Sequence, residues 1–222
     1  MARQFSHPRV TGLILAGGRS LRMGGNDKSL LLLDGDPLLS HVIRRLAPQC
    51  DALVLNANGD PGRFAPFKPC VISDTLPGYL GPLAGILSGL EWTALHRPDI
   101  DWIVSVPADT PFIPSNLVMR LHEARLRAGS TLVRAESAGR NHHAIGLWPV
   151  KLKTDLCHAL EHEHLRSIRQ WTEKYDVAEA SWADTPIDPF FNVNTPEDLL
   201  TARAFLARER PRQDTDGKDN TL

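Results

Sequence analysis

Short apolar runs alternate along this chain with longer stretches in which apolar residues recur every three or four positions. The short runs, at residues 11–16 ("TGLILA"), 51–56 ("DALVLN"), 70–73 ("CVIS"), 101–107 ("DWIVSVP"), 130–136, 144–150 and 177–182, read as strands. The helical stretches are 37–47, 83–95, 115–127, a long one from 152 to about 174, and a final one opening at "NTPEDLL". Ser115 stands where an N-cap is expected for the third. Thr195, Pro196 and Asp198 make a capping-box-like start for the last. Strands alternating with helices predict an α/β fold, a mostly parallel sheet covered on both faces. Residues 1–206 are expected to form one domain and 207–222, almost entirely polar, a disordered tail.

In open sheets of this kind ligands sit beyond the carboxyl ends of the strands. That rule singles out the loop after Ala16, the asparagines Asn56 and Asn58, and the loop after Val106. The first of these is unusual. Across "LAGGRSLRMGGNDKSLL" (15–31) a buried strand breaks into glycines with Arg19, Arg22 and Lys28 among them. Glycine loops turn backbone N–H groups toward anionic oxygens, and cations add to the attraction. A P-loop needs Gly-Lys-Ser/Thr, and here Asp27 precedes Lys28; GxGxxG is also absent.

Composition narrows the ligand. Net charge is −1, so neither nucleic acid nor an anionic membrane is expected as a partner, and any anion must be held by local geometry. Three scattered cysteines make no disulfide framework or CxxC pair, which fits a reducing cytoplasm. No run approaches the roughly 18 apolar residues of a membrane span.

The 15–31 stretch resembles the signature of the molybdenum cofactor guanylyltransferase family, LAGG-x-S-x-RMG-x-DK with one or two residues between the last glycine and the aspartate, at every fixed position; here the two are Gly25 and Asn26. The resemblance continues through "DTLPGYLGPLAG" from Asp74, "PADTPFIP" around Asp109, and "NVNTPEDL" from Asn192. It implies a Rossmann-like nucleotidyltransferase that joins GMP from GTP to molybdopterin, with or without molybdenum, and releases pyrophosphate. By the same resemblance Leu15, Ala16, Gly17 and Gly18 contact GTP, and Lys28 neutralises its phosphates. Asn56, with Asn58 as competitor, and Asp74 lie at the nucleotide. Asp109 binds Mg²⁺, and Asn192 and Asn194 meet the pterin. Catalysis would rest on Lys28 and Asp109. Transient contact with cofactor-delivery proteins or molybdoenzymes would follow from such a role.

The residues themselves agree with this chemistry. Joining two anions at phosphorus needs charge and alignment more than a protein nucleophile. Mg²⁺ takes one or two carboxylates with phosphate oxygens and waters. Other readings remain open. Relatives with LAAG and Asn-Lys in the first loop are cytidylyltransferases, against which Gly17 and Asp27 speak. "HALEH" (158–162) fits the HxxEH zinc pattern. A non-catalytic nucleotide-binding adaptor is a third reading. His142 and His143 depart from the family pattern, and either touch the second substrate or merely begin a strand. Arg166 and Arg169 either face an anionic pterin or lie on a solvated helix face.

Overall fold

The structure, a computed structural model, describes residues 8–17, 27–78 and 80–209. In chain order the elements are β1 (Val10–Leu15), a short ribbon of β2 (Leu32–Leu33) and β3 (Asp36–Pro37), α1 (Leu38–Leu46), β4 (Ala52–Asn56), β5 (Cys70–Ile72), α2 (Pro82–His96), β6 (Trp102–Pro107) and α3 (Leu117–Ala128). They continue with β7 (Leu132–Ser137), β8 (Arg140–Pro149), α4 (Lys153–Glu161), α5 (Ile168–Thr172), β9 (Val177–Trp182) and α6 (Pro196–Glu209). Seven strands form one sheet in the order β5-β4-β1-β6-β8-β7-β9, and only β8 runs against the rest.

Two apolar layers follow from the alternation of side chains along the strands. Ile14, Leu55, Val104 and Val106 face α1 and α3, where Leu39, Val42, Leu46, Leu117 and Leu121 bury them. Leu13, Val54, Ile103 and Trp148 face α2, α4 and α5. The chain moves from β1 outward to β4 and β5, then returns through α2 to β6 on the other flank of β1. The switch point, where such sheets open a crevice, therefore lies between β1 and β6. A third, smaller cluster packs α6, through Ala202 and Phe205, against Leu33, Leu38, Phe112 and Val193. This cluster braces the loops that follow β6 and β9.

Several local expectations change. The helix from 115 starts at Leu117, with Asn116 rather than Ser115 at its cap. The Asn116 side chain accepts instead from Trp182 Nε1 at 3.2 Å, and the Val118 N–H is satisfied from afar by Gln49 Oε1 at 3.1 Å. The long helix from 152 is two helices, α4 and α5, parted by a turn with His164 in the left-handed region (φ 53°). Strand β8 begins at Arg140, before the apolar run that announced it. Its residues 143–145 bulge out of register with β7. Of the tail expected from residue 207, residues 207–209 continue α6, and 210–222 lie outside the described residues. The capping box at Thr195 forms as expected: Thr195 Oγ1 accepts from Asp198 N at 3.1 Å, and Asp198 Oδ2 from Thr195 N at 2.9 Å.

Candidate functional site

Leu15 of β1 is level with both Asn56 at the end of β4 and Pro107 at the end of β6. The ladder runs one step further: Ala16 N donates to Asn56 O at 2.9 Å and Ala108 N to Leu15 O at 3.0 Å. Gly17, Asn58 and Asp109 therefore emerge from the sheet together around the switch point. Gly17 stays bare on the side facing the asparagines; a Cβ there would lie 3.2 Å from Asn56 Oδ1. Gly18, Arg19 and Arg22 lie outside the described residues.

Asn56 is buried, and Asp74 draws both asparagines to itself. Asn56 Nδ2 donates to Asp74 Oδ1 at 3.0 Å and Asn58 Nδ2 to Asp74 Oδ2 at 2.7 Å. Asp74 N donates in turn to Asn58 Oδ1 at 2.9 Å. The two asparagines thus share the work of fixing one carboxylate. Helix α2 comes unusually close here. A Cβ on Gly85 would stand 2.4 Å from Asn56 Oδ1 and 2.8 Å from Leu15 Cδ2, so only glycine lets this turn of the helix reach the strand ends.

On the other side of the crevice Asp109 sits between Ala108 and Thr110, both buried. Among the described residues its buried Oδ1 has no hydrogen-bond partner. Burial holds its carboxyl above the ordinary carboxylate range, with a backbone hydrogen bond and the charge of Lys28 pulling the other way. An orphaned carboxylate oxygen beside a lysine at a strand end suits a hard cation, which takes oxygen ligands. The loop after β9 is tied to this place: Val193 N donates to Asp109 O at 2.9 Å, and Thr110 Oγ1 to Asn192 Oδ1 at 3.1 Å. Lys28 Nζ donates to Asn194 Oδ1 at 3.1 Å. The described members of the expected site therefore gather around one crevice.

Beside it lies a cavity of about 490 Å³ walled by Pro107, His142, His143, Asn192, Asn194 and Asp198. Asn194 belongs to both places, as partner of Lys28 and as cavity wall. His142 Nε2 is 2.6 Å from Ser137 Oγ, which donates to Asp188 Oδ1 at 2.7 Å. A hydroxyl has one proton to give, so Ser137 accepts from His142, which carries its proton on Nε2. Burial lowers the pKa of His142 and, with the nearby Arg134 and Arg169 cations, that of His143. Both imidazoles are thus held toward the neutral form.

Other sequence candidates have structural employment. Arg166 Nη1 donates to Leu160 O at 2.9 Å and Leu165 O at 2.7 Å, closing the end of α4. Arg169 forms an exposed pair with Glu173. In the HxxEH segment His158 Nδ1 faces Glu163 Oε1 at 3.3 Å, and the rings of His158 and His162 lie 4.9 Å apart. Among the described residues no three His, Cys, Asp or Glu side chains converge on a metal position. Both carboxylate oxygens of Asp27 are engaged by protein. Its Oδ1 accepts from Ser29 N and Oγ, at 3.1 and 2.7 Å, and its Oδ2 from Arg63 Nε at 3.0 Å. Sequence reasoning passed over Arg63 and Thr110, and of the two only Thr110 lay inside a recognised motif.

The family model for a MobA-like NTP transferase domain matches residues 12–178. A protein of Rhodopseudomonas palustris (strain BisB5) named molybdenum cofactor guanylyltransferase is 52% identical over 203 residues, 91% of this chain and 97% of that protein. Among solved structures, molybdopterin-guanine dinucleotide biosynthesis protein A from Archaeoglobus fulgidus is similar with a TM-score of 0.71 at 21% identity, over 90% of this chain and 100% of that one. A Mycobacterium tuberculosis H37Rv protein solved in complex with manganese is similar with a TM-score of 0.63 at 16% identity, over 88% and 98%. The last two likenesses are likenesses of fold.

Proposed function

We infer the chemistry from one premise: the chain belongs to the MobA-like NTP transferase family, as a molybdenum cofactor guanylyltransferase. It transfers GMP from GTP to molybdopterin. A terminal phosphate oxygen of the acceptor attacks the α-phosphorus of GTP. One P–O bond forms there, the bond to the β-phosphate oxygen breaks, and pyrophosphate leaves with the electron pair. No protein nucleophile is required, so the residues act by alignment and charge.

The assignment of residues is our proposal. Leu15, Ala16 and Gly17 line the nucleotide at the end of β1, Gly18 contributes at its phosphates, and Lys28 neutralises them. Asn56 and Asp74 hold the base or ribose, in an orientation fixed by their mutual hydrogen bond. Asp109 holds a divalent cation, taken as Mg²⁺; its orphaned Oδ1 is the observation that supports this. When bound, that cation would neutralise charge building on the phosphate oxygens. The acceptor occupies the cavity beside Pro107, where Asn192 and Asn194 offer amides that both donate and accept to a pterin edge. Because Asn194 Oδ1 also accepts from Lys28, the acceptor side meets the nucleotide side at that pair. Among the described residues no helix is long and apolar enough to cross a membrane, and we place the reaction in the cytoplasm.

The observation that carries this reading is the meeting of Lys28, Asp109, Asn56 and Asp74 at the level ends of β1, β4 and β6. Its test is a competition between GTP and CTP in the presence of Mg²⁺ and molybdopterin. The expected result is pyrophosphate release with incorporation of GMP. Preferential incorporation of CMP, or no pyrophosphate from either, overturns it.

A further inference from the structure

The loop "NANGDPGRF" (56–64) connects β4 to a single 3-10 turn (Pro61–Phe64). Asp60 caps that turn by accepting from Gly62 N at 2.8 Å, Pro61 opens it, and Phe64 sinks into the core. The result is a rigid platform for one side chain, Arg63. Its guanidinium fans out to three acceptors. Nε donates to Asp27 Oδ2 at 3.0 Å, Nη2 to Asn58 O at 2.7 Å and Nη1 to Asp60 O at 3.0 Å. The guanidinium carbon stands 4.6 Å from the centre of the Phe64 ring. Gly59, at φ 86°, leaves the space; a Cβ there would lie 3.2 Å from Nη1.

These contacts join two halves of the crevice that are far apart in sequence. On one side Asp27 holds the turn that carries Lys28. On the other Asn58 grips Asp74, and Asp74 grips Asn56. Hydrogen bonds therefore link Ser29, Asp27 and Arg63 to Asn58, which accepts from Arg63 through its backbone carbonyl and through its side-chain amide holds Asp74, itself bonded to Asn56. We propose that Arg63 is a positioning residue for the nucleotide: it sets the distance between the phosphate-facing turn at Lys28 and the base-facing pair Asn56–Asp74. It touches neither the nucleotide nor the acceptor. The role rests on the nucleotide reading above and adds to it a side chain outside the four recognised motifs.

The chemistry requires arginine. Three acceptors in divergent directions match a planar fork, and a lysine ammonium at one point cannot reach all of them. Releasing the turn leaves Lys28 and the Asn56–Asp74 pair to be ordered by GTP itself, a cost that falls on binding. Losing one charge-assisted hydrogen bond corresponds to about tenfold or more in affinity.

The experiment measures steady-state kinetics in GTP, together with thermal unfolding, for wild type, Arg63→Lys, Asp27→Asn and the double variant. Arg63→Lys keeps the charge and the stem over Phe64, so the fold has its best chance of surviving. The expected result is a KM for GTP raised about tenfold in each single variant, with kcat within about twofold because no reacting group is removed. The KM for molybdopterin rises less than that for GTP, and the double variant is no worse than the worse single one. Unchanged GTP KM in a folded Arg63→Lys, a loss confined to kcat, or additive losses in the double variant overturn the proposal while leaving the nucleotide reading intact. Wild-type protein that binds no GTP overturns both.

Discussion

Gly85 offers a perturbation in which stability and function are expected to part company. A methyl added there stands 2.4 Å from Asn56 Oδ1, closer than non-bonded atoms tolerate, and 2.8 Å from Leu15 Cδ2. To reach even a tight 3.0 Å contact, the Asn56 amide must retreat by about 0.6 Å. Its Nδ2 is 3.0 Å from Asp74 Oδ1, so that movement breaks or badly bends the bond that orients both groups. On stability, alanine in mid-helix gains about 1 kcal/mol over glycine, while overpacking costs about 1–3 kcal/mol. The difference leaves Gly85→Ala destabilised by about 0–2 kcal/mol. On function, a hydrogen bond to a charged group is worth about 1.5–3 kcal/mol, or about ten- to a hundredfold in nucleotide affinity. Gly89→Ala is the control. One turn along the same helix, the three atoms nearest its Cβ would all belong to the Leu13 side chain, Cδ2 at 2.7 Å, rather than to an asparagine. The assay is GTP titration alongside thermal unfolding for both variants. The expected result is weakened GTP binding in Gly85→Ala alone, with similar melting temperatures for the two. Equal GTP affinity in wild type and a folded Gly85→Ala refutes the claim that Asn56 and Asp74 orient the nucleotide.

Asp109→Asn should cost about a hundredfold or more in turnover yet not lower stability at neutral pH. Burial holds the Asp109 carboxyl above its unfolded value, so the folded state retains that proton longer, and stability is lost as pH rises through the folded pKa. The melting-temperature gap in favour of Asp109→Asn should therefore widen from pH 4 to pH 7, and a gap that narrows refutes the assignment. Thr195→Ala removes the acceptor for Asp198 N. It should cost about 1 kcal/mol, a fall of about 2–4 °C in a chain of this size, and should raise the KM for molybdopterin more than that for GTP. Scanning calorimetry and a two-substrate kinetic matrix check both parts.

The central strands, the start of α6 and the crevice were legible in the sequence because they rest on local signals. Apolar alternation marked β1, β4 and β6, and Thr195–Asp198 spelled a capping box that forms as written. The failures share a physical cause. The break between α4 and α5 turns on His164, a non-glycine residue at φ 53° that carries no breaker signature. Helix α3 is capped in part by Gln49, sixty-nine residues earlier, so Ser115 is not needed for that task. Strand β8 reaches back to Arg140 because β7 and the bulge at 143–145 hold it, a pairing that no short apolar run reveals. At the site, the motifs named the residues that gather in the crevice but not what sets their spacing. Arg63 acts across thirty-six residues on Asp27, and only the fold brings them together. Asn56 and Asn58 looked like competitors from sequence; the structure gives each one oxygen of the same carboxylate.

The most direct test is a crystal structure of the chain with GTP and Mg²⁺. The triphosphate is expected against Lys28 and Gly17, the cation on Asp109, and the guanine or ribose against Asn56 and Asp74, with the cavity at His142 left for the acceptor. A triphosphate seated in that cavity, or a cation bound away from Asp109, contradicts this arrangement.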